Sequence, residues 1–360
     1  MHLDRLWITD FRNYRGAELA PAPSGLTAVV GNNGEGKTNL LEAIGYLATL
    51  KSFRGVPSDA LVRIGAQQAI VRCESDRDGR RLQIEAEIKP SGRDRVLVNR
   101  QPLRRVRDLL GALQVTVFAP DDLAVIKAGP ERRRDYLDDL LVALHPRHDV
   151  LRSDLDRVLR QRNALLKQAG GNPRPPADIV TTLDVWDQKL AETGTAIADA
   201  RAGLLTTLGP ELAAVYDRVA ERAAHVAVTY QRSWGGSLLD ALGAARGDDL
   251  RRGVTTLGPQ RDELVVTLGG LPSRTHASQG EQRSLALALR LAGHLLVTRE
   301  LRSPPILLLD DVFSELDGDR SAALLDSLPP GQALVTTAGE LPSQARPALV
   351  VRVEGGKILP

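Results

Sequence analysis

The 360-residue chain has a single cysteine, Cys73, which excludes an intramolecular disulfide and any zinc site built on a cysteine cluster. It sits in a β-type run, Ile70 to Glu74, and reads as a small buried hydrophobe. Aromatic residues are only 3% of the chain, which disfavours base stacking as the main grip on single-stranded nucleic acid. Net charge is only +2, and total charge therefore says little about partners; the distribution of the arginines matters more. No stretch approaches 18 uncharged apolar residues, and the segment MHLDRLWITDF carries acids among its apolar residues. No membrane route is expected, and the chain reads as cytoplasmic. A hydrophobic content of 42% with 26% charged residues describes an ordinary folded chain, long enough for two or three domains.

What is present is most informative at Gly31 to Thr38, GNNGEGKT, which fits the phosphate-cradling pattern G-x-x-x-x-G-K-[ST] in full. Leu26 to Val30 upstream form a β-type run, and Leu40, Leu41, Ile44, Leu47 and Ala48 downstream recur at helical spacing. The loop, comprising Gly31, Asn32, Asn33, Gly34, Glu35, Gly36, Lys37 and Thr38, thus opens a helix whose free N–H groups and macrodipole favour an anion. Gly31 and Gly36 permit close approach of the phosphates. Lys37 is expected to reach the β- and γ-phosphates, and the Thr38 hydroxyl to enter a Mg²⁺ shell. The bland alternative is a Gly/Asn turn that merely starts a helix, and the strand and helix around it disfavour that.

Elsewhere the patterning alternates between the two periods. Leu3 to Thr9 reads as a strand followed by a turn through Phe11, Arg12, Asn13 and Tyr14. From about 59 to 99 the pattern is β: Leu82, Ile84, Ala86 and Ile88 alternate, and turn signals at Asp76 to Gly79 and Pro90 to Gly92 separate short runs. This predicts an antiparallel layer beside the nucleotide site. From Glu131 to Gln168 the period is helical and broken near Pro146; a loop at Ala169 to Ala177 and two more helices, Leu183 to Leu208 and Glu211 to Ala224, follow. Residues 131–250 therefore read as a helical arm subdomain. It is inserted between 1–130, the first part of a head, and 251–360, the second part. The expected fold is α/β.

The second half of the site comes late. Ile306 to Leu309 form a strand apolar on both faces that delivers Asp310 and Asp311 at its C-terminal end. Asp310 is expected to organise Mg²⁺, and Asp311 to orient or deprotonate the attacking water. Ser278-Gln279-Gly280-Glu281-Gln282 heads a helix, with Ser278 and Glu281 spaced as a capping box; a helix start with Ser and Gly also suits a γ-phosphate. Ser314-Glu315-Leu316-Asp317 follows the acids.

The ordered set GNNGEGKT, SQGEQ, ILLLDD and SELD, with a helical excursion between the first two, resembles an ABC-type (SMC-like) P-loop ATPase head. That resemblance implies ATP sandwiched in a head-to-tail homodimer, with Ser278 and Gly280 contacting the γ-phosphate in trans and Asp317 communicating between two sites. Finer features, DFRNYRG, KSFRG at 51–55, FAPDDL at 118–123, GPERRRDYLD at 129–138 and GPQRDEL at 258–264, are similar to the RecF family of bacterial recombination and repair proteins. The resemblance implies a DNA-binding ATPase acting in recombinational repair, replication and the SOS response. Its implied partners are DNA (gapped, duplex or single-stranded), RecO and RecR, with RecA loading as the outcome. Gln260 departs from the histidine usual in that family. Asp311 replaces the glutamate of transporters, and Thr336-Thr337 stands where they carry a switch histidine, which implies a weak, DNA-dependent ATPase used as a switch, with Lys37 and Asp311 as its catalytic residues. Gln114 is the candidate for a coupling-loop glutamine, and Arg12 and Asn13 lie where this class approaches adenine and phosphates.

Two basic clusters could meet DNA phosphates: Arg93, Arg95, Arg100, Arg104, Arg105 and Arg107, and the run Arg132-Arg133-Arg134. The arm adds Arg147, Arg152, Arg157, Arg160, Arg162 and Lys167. Solvated faces would account for the same runs. A nucleotide-binding subunit of an ABC transporter is the alternative reading, and a long-tethered chromosome-organising protein is excluded by an excursion of only about 120 residues.

Overall fold

In the computed structural model, which describes residues 1–170, 176–220 and 224–359, strictly alternating segments and continuously apolar segments build two different sheets. Contacts divide the chain into two units, Met1–Leu123 with Ala214–Ala224 and Ser278–Pro360, and Ala124–Ala213 with His225–Ala277. Residues 251–277, grouped by sequence with the second part of the head, cluster with the second unit.

The first unit opens with β1 (His2–Phe11), β2 (Tyr14–Leu19), β3 (Gly25–Val30) and helix α1 (Lys37–Thr49). Next come β4 (Ala69–Arg77), β5 (Arg80–Ile88), β6 (Arg95–Val98), β7 (Gln101–Pro102) and β8 (Val115–Phe118). Six of these strands form an antiparallel sheet in the order β2-β1-β4-β5-β6-β7. Its alternation is the expected one: Val71, Cys73, Ile84, Ala86 and Ile88 face the core, while Arg72, Glu74, Glu85 and Glu87 do not. Burial pushes the Cys73 thiol up to about 12, so it stays protonated and serves as packing.

In the second unit lie α2 (Ala124–Lys127), α3 (Pro130–Leu144), α4 (Arg147–Gln168), α5 (Ala177–Val219), β9 (Val226–Gln231), α6 (Leu238–Arg252), β10 (Glu263–Leu268), β11 (Leu271–Pro272) and α7 (Ser273–His276); the last turns of α5 cluster with the first unit. Where sequence predicts separate helices on either side of residues 209–210, α5 runs unbroken through Pro210. Proline removes one N–H and orphans the carbonyl of Thr206, but Thr206 and Pro210 are both exposed and water can satisfy that group. The buried stripe Leu204, Leu208, Leu212 and Val215 continues across the break and holds the helix together. The expected loop at 169–177 lies partly outside the described residues. A three-stranded sheet, β11-β10-β9, also stands within this unit, where only helix was expected around 226–231.

Returning to the first unit, the chain adds α8 (Gln279–Leu301), β12 (Ile306–Leu309), α9 (Gly318–Ser327), β13 (Gln332–Thr337), β14 (Leu349–Glu354) and β15 (Lys357–Leu359). These strands join β3 and β8 in a second sheet, β15-β14-β3-β13-β12-β8, parallel except for β15. Its central strands are covered on both faces and mostly apolar: every residue of β12 and β13 is buried. Helix α1 lies between the two sheets: Leu40, Leu41, Ile44 and Leu47 are fully buried in one cluster with Leu6, Val71, Ile84, Leu308 and Leu334. Each such side chain contributes about 1.5–3 kcal/mol. The parallel register sets Val335 beside both Ala28 and Leu309, so the C-terminal ends of β3, β13 and β12 arrive together. That edge is where open α/β sheets place their ligand sites.

Candidate nucleotide-binding site

The phosphate loop leaves β3 at Gly31, where a Cβ would stand 2.3 Å from the carbonyl oxygen of Val353 in β14; only glycine fits. Gly36 has φ 113°, and a Cβ there would meet the Asn13 amide at 2.6 Å. No side chain caps α1, which leaves its first amides open to an anion. Lys37 Nζ donates to the carbonyl of Asn32 at 2.8 Å, curling the side chain back over the loop.

The loop is braced from outside. Asn13 Nδ2 donates to the Glu35 carbonyl (2.9 Å), Asn39 Nδ2 donates to Asn13 Oδ1 (2.8 Å), and the Tyr14 hydroxyl donates to the Gly36 carbonyl (3.0 Å). The Glu35 carboxylate accepts from the Gly355 N–H, and the Glu35 carbonyl from Gly356 at 3.1 Å, tying the loop to the β14–β15 turn. Glu35 therefore turns its side chain to that turn. Arg12 grips the buried Glu42 with two 2.7 Å bonds and the Ala60 carbonyl with a third. Of the two residues expected near adenine and phosphates, Asn13 braces the loop and Arg12 ties the turn after β1 to α1 and residue 60.

Across the parallel sheet, Asp310 meets this loop. Thr38 Oγ1 donates to Asp310 Oδ1 at 2.8 Å, and Thr336 Oγ1 donates to the same oxygen at 2.7 Å. Asp310 is 5% exposed, and burial raises its pKa above the ordinary carboxylate value; the two threonine bonds and the Arg54 charge pull the other way. Asp311 has φ 49°, its N–H donates to Thr336 Oγ1 (2.8 Å), and Ser314 Oγ donates to its Oδ2 (2.9 Å). Its Oδ1 is buried without a hydrogen-bond partner among the described residues. Such a held, half-satisfied carboxylate is suited to act on a water. Thr336, read from the sequence only as standing where transporters carry a switch histidine, lies with Thr337 inside β13, both buried. Arg54, within the KSFRG motif, was likewise left without a role.

Ser278 caps α8 in a full capping box: its hydroxyl accepts from Glu281 N, and Glu281 accepts from Ser278 N at 2.8 Å. Asp317 caps α9, accepting from Arg320 N at 2.9 Å. Gln114 does not stand at the site. Its carbonyl accepts from Ile306 N at the start of β12, whereas the carbonyl of Phe118 accepts from Asp310 N. Four residues of parallel strand put Gln114 about 13 Å away at the opposite sheet edge. The loop after β8 reaches α8 instead through Asp122, which pairs with Arg290 and accepts from Ala119 N at 2.8 Å.

The arginine clusters divide by environment. In α3 consecutive residues turn by about 100°, and of Arg132, Arg133 and Arg134 only the first is exposed. Arg133 is 4% exposed and bound to Glu263 through 2.6 and 3.0 Å bonds and to the Ala128 carbonyl at 2.9 Å; Arg134 donates to the Asp262 carbonyl. Arg162, expected on a basic arm, is fully buried between Asp187 (2.6 Å) and Asp249 (2.7 Å). Arg152 and Arg157 pair with Asp139 and Asp154. By contrast Arg93, Arg95, Arg100, Arg104, Arg105 and Arg107 are all exposed around β6 and β7, and among the described residues only Arg95 has an acid partner, Glu87. Gln260 props its own turn, donating to the Leu257 carbonyl at 2.8 Å.

No helix among the described residues is long and apolar enough to cross a membrane. Residues 2–341 match the RecF/RecN/SMC N terminal domain family. The chain is 45% identical over 355 residues to the DNA replication and repair protein RecF of Streptomyces avermitilis, covering 94% of this chain and 93% of that one. Its identity to the RecF of Kineococcus radiotolerans is 43% over 363 residues, with the same coverage. A solved structure of the recombination mediator protein RecF-ATP in the RecFOR pathway superposes with a TM-score of 0.90 at 29% identity, covering 99% of this chain and 96% of that one. An Smc head domain from Pyrococcus furiosus, 16% identical with a TM-score of 0.57, shares the fold. An SMC-like ABC ATPase head with a helical arm is thus the architecture, and the chain belongs to the RecF family.

Proposed function

We propose that this chain is an ATP-operated DNA-binding switch of recombinational repair, replication and the SOS response. The observation that carries the reading is the junction of Thr38, Asp310 and Thr336 beside the uncapped start of α1. These groups fit a triphosphate with Mg²⁺. No cluster of three or more His, Cys, Asp or Glu among the described residues could hold a metal alone, so an ion here needs the nucleotide's phosphates, as Mg²⁺ commonly does. Thr38 and Asp310 would hold it, and its chemistry is neutralisation of phosphate charge. Loop amides and Lys37 bind the phosphates, Asp311 orients the water, and its short reach makes hydrolysis slow.

In this reading the first unit is the ATPase head and the second the arm. Ser278 and Gly280 complete the site of a second copy, and Asp317 links the two sites. The exposed arginines around β6 and β7 grip DNA phosphates on gapped or duplex substrates, and RecO and RecR act with the protein in loading RecA in the cytoplasm. Membership of the RecF family and the likeness to RecF-ATP support this over a transporter subunit. The test is DNA affinity on gapped, duplex and single-stranded substrates with and without ATP, for wild type and Lys37→Ala. Binding that ignores both ATP and Lys37 contradicts the switch.

A further inference from the structure

We infer that Arg320 is a phosphate-binding residue of the composite site, reaching the terminal phosphate of the nucleotide held by a second copy of the chain. This rests on the trans-site reading above. Gly280, the second residue of α8, has no left-handed φ, so its backbone does not require glycine. The Arg320 guanidinium lies against it: a Cβ on Gly280 would stand 2.4 Å from one terminal nitrogen, 3.1 Å from the other and 3.2 Å from Cζ, so a side chain here would push the guanidinium aside. Glycine at 280 lets the guanidinium rest against the start of α8.

The arrangement is electrostatically unfinished. A guanidinium beside the N-terminus of a 23-residue helix adds positive charge where the macrodipole already favours an anion. Its one ion pair among the described residues is with Asp317, at 3.5 Å, and that carboxylate is 60% exposed, so the pair is weak. The Glu281 carboxylate, one residue beyond Gly280, accepts from the N–H and hydroxyl of Ser278. A group with several anionic oxygens would satisfy the guanidinium fork and the start of α8 together, and a terminal phosphate has that form. Because Arg320 pairs with Oδ2 of Asp317 in the single chain, arrival of the partner's nucleotide releases that oxygen while Oδ1 goes on capping α9. That gives the acid a physical route to sense occupancy.

The experiment compares Arg320→Ala, Arg320→Lys and Ser278→Arg with wild type for ATP binding and for ATP-driven dimerisation by sedimentation, and then mixes Arg320→Ala with Lys37→Ala. Arg320→Ala should bind ATP as tightly as wild type, because its own phosphate loop is intact, yet dimerise at least tenfold more weakly, with Arg320→Lys between. Neither Arg320→Ala nor Lys37→Ala alone should hydrolyse ATP in a single turnover, whereas the mixture should regain hydrolysis at one site per dimer. If Arg320→Ala melts low, Arg320→Gln, which keeps the stem over Gly280, takes its place. Normal dimerisation of Arg320→Ala with a monomeric Ser278→Arg overturns the role of Arg320 alone; normal dimerisation of both overturns the trans site itself. Lost ATP binding by Arg320→Ala, or no recovery in the mixture, assigns the residue to its own chain's site and also overturns the proposal.

Discussion

Thr38 donates its hydroxyl proton to Oδ1 of Asp310 across 2.8 Å, joining residues 272 positions apart in the sequence. The bond ties the phosphate loop to the acid at the end of β12, and Thr336 holds the same oxygen from the strand between them.

Thr336→Val keeps the shape but removes the donor to Asp310 and the acceptor for the Asp311 N–H. A buried hydrogen bond to a charged group contributes about 1.5–3 kcal/mol. Mg²⁺-dependent ATP affinity by calorimetry should therefore fall roughly tenfold or more. Asp311→Asn should instead bind ATP normally and fail in single-turnover hydrolysis; equal hydrolysis would move the water-directing role elsewhere.

Asp310→Asn tests the cost of the buried acid. Its folded pKa is raised, chiefly by burial, so the fold prefers the neutral form. Stability is lost as pH rises from the ordinary carboxylate value through the folded one, and the loss persists at neutral pH. Without nucleotide or Mg²⁺, the asparagine variant should melt above wild type at pH 7, and the gap should narrow as pH falls toward the ordinary carboxylate value. A variant no more stable than wild type at pH 7 contradicts the assignment.

Much of this site was legible because its pieces are local. GNNGEGKT, the capping box of Ser278 and the run Ile306 to Asp311 each carry their own geometry within a few residues. Thr336 was not legible, since its importance arises only when β13 is inserted between β3 and β12. Gln114 misled for a related reason: adjacency to a strand does not say which end of it faces the ligand. The arginine runs misled because charge in sequence ignores helical phase, which turned Arg133 and Arg162 inward to acids. In α5 the apolar stripe outweighed Pro210, a contest propensity alone decides the other way.

His294 in α8 gives a second pH signature. Burial lowers its pKa to about 4, and its Nδ1 lies 3.0 Å from the Thr116 hydroxyl. A base with a lowered folded pKa stabilises fully above its unfolded value and less as pH falls below it. Between about pH 6.5 and 5, wild type should lose about 2 kcal/mol more than His294→Asn. Parallel denaturation curves for the two proteins would contradict a buried neutral imidazole.

The arginines make a paired prediction. Reversing Arg104, Arg105 and Arg107 to Glu should weaken DNA binding on all sequences and flatten its salt dependence, by about 0.9 in log-log slope for each lost duplex phosphate contact. Arg133→Glu should instead destabilise the second unit by about 3–5 kcal/mol, since it sets two acids against each other in a buried site. Chemical denaturation alongside a salt titration separates these outcomes; unchanged DNA affinity in the triple variant would place the contact elsewhere.

The central claim is that Gly31 to Thr38 and Ser278 to Gln282 are halves of one site closed only by two chains. Sedimentation velocity of wild type, Lys37→Ala and Ser278→Arg, each with and without ATP, tests it most directly. Wild type should pass from monomer to dimer on adding ATP, Lys37→Ala should bind no nucleotide and stay monomeric, and Ser278→Arg should bind ATP yet remain a monomer. An ATP-driven dimer of Ser278→Arg as tight as that of wild type would contradict the claim.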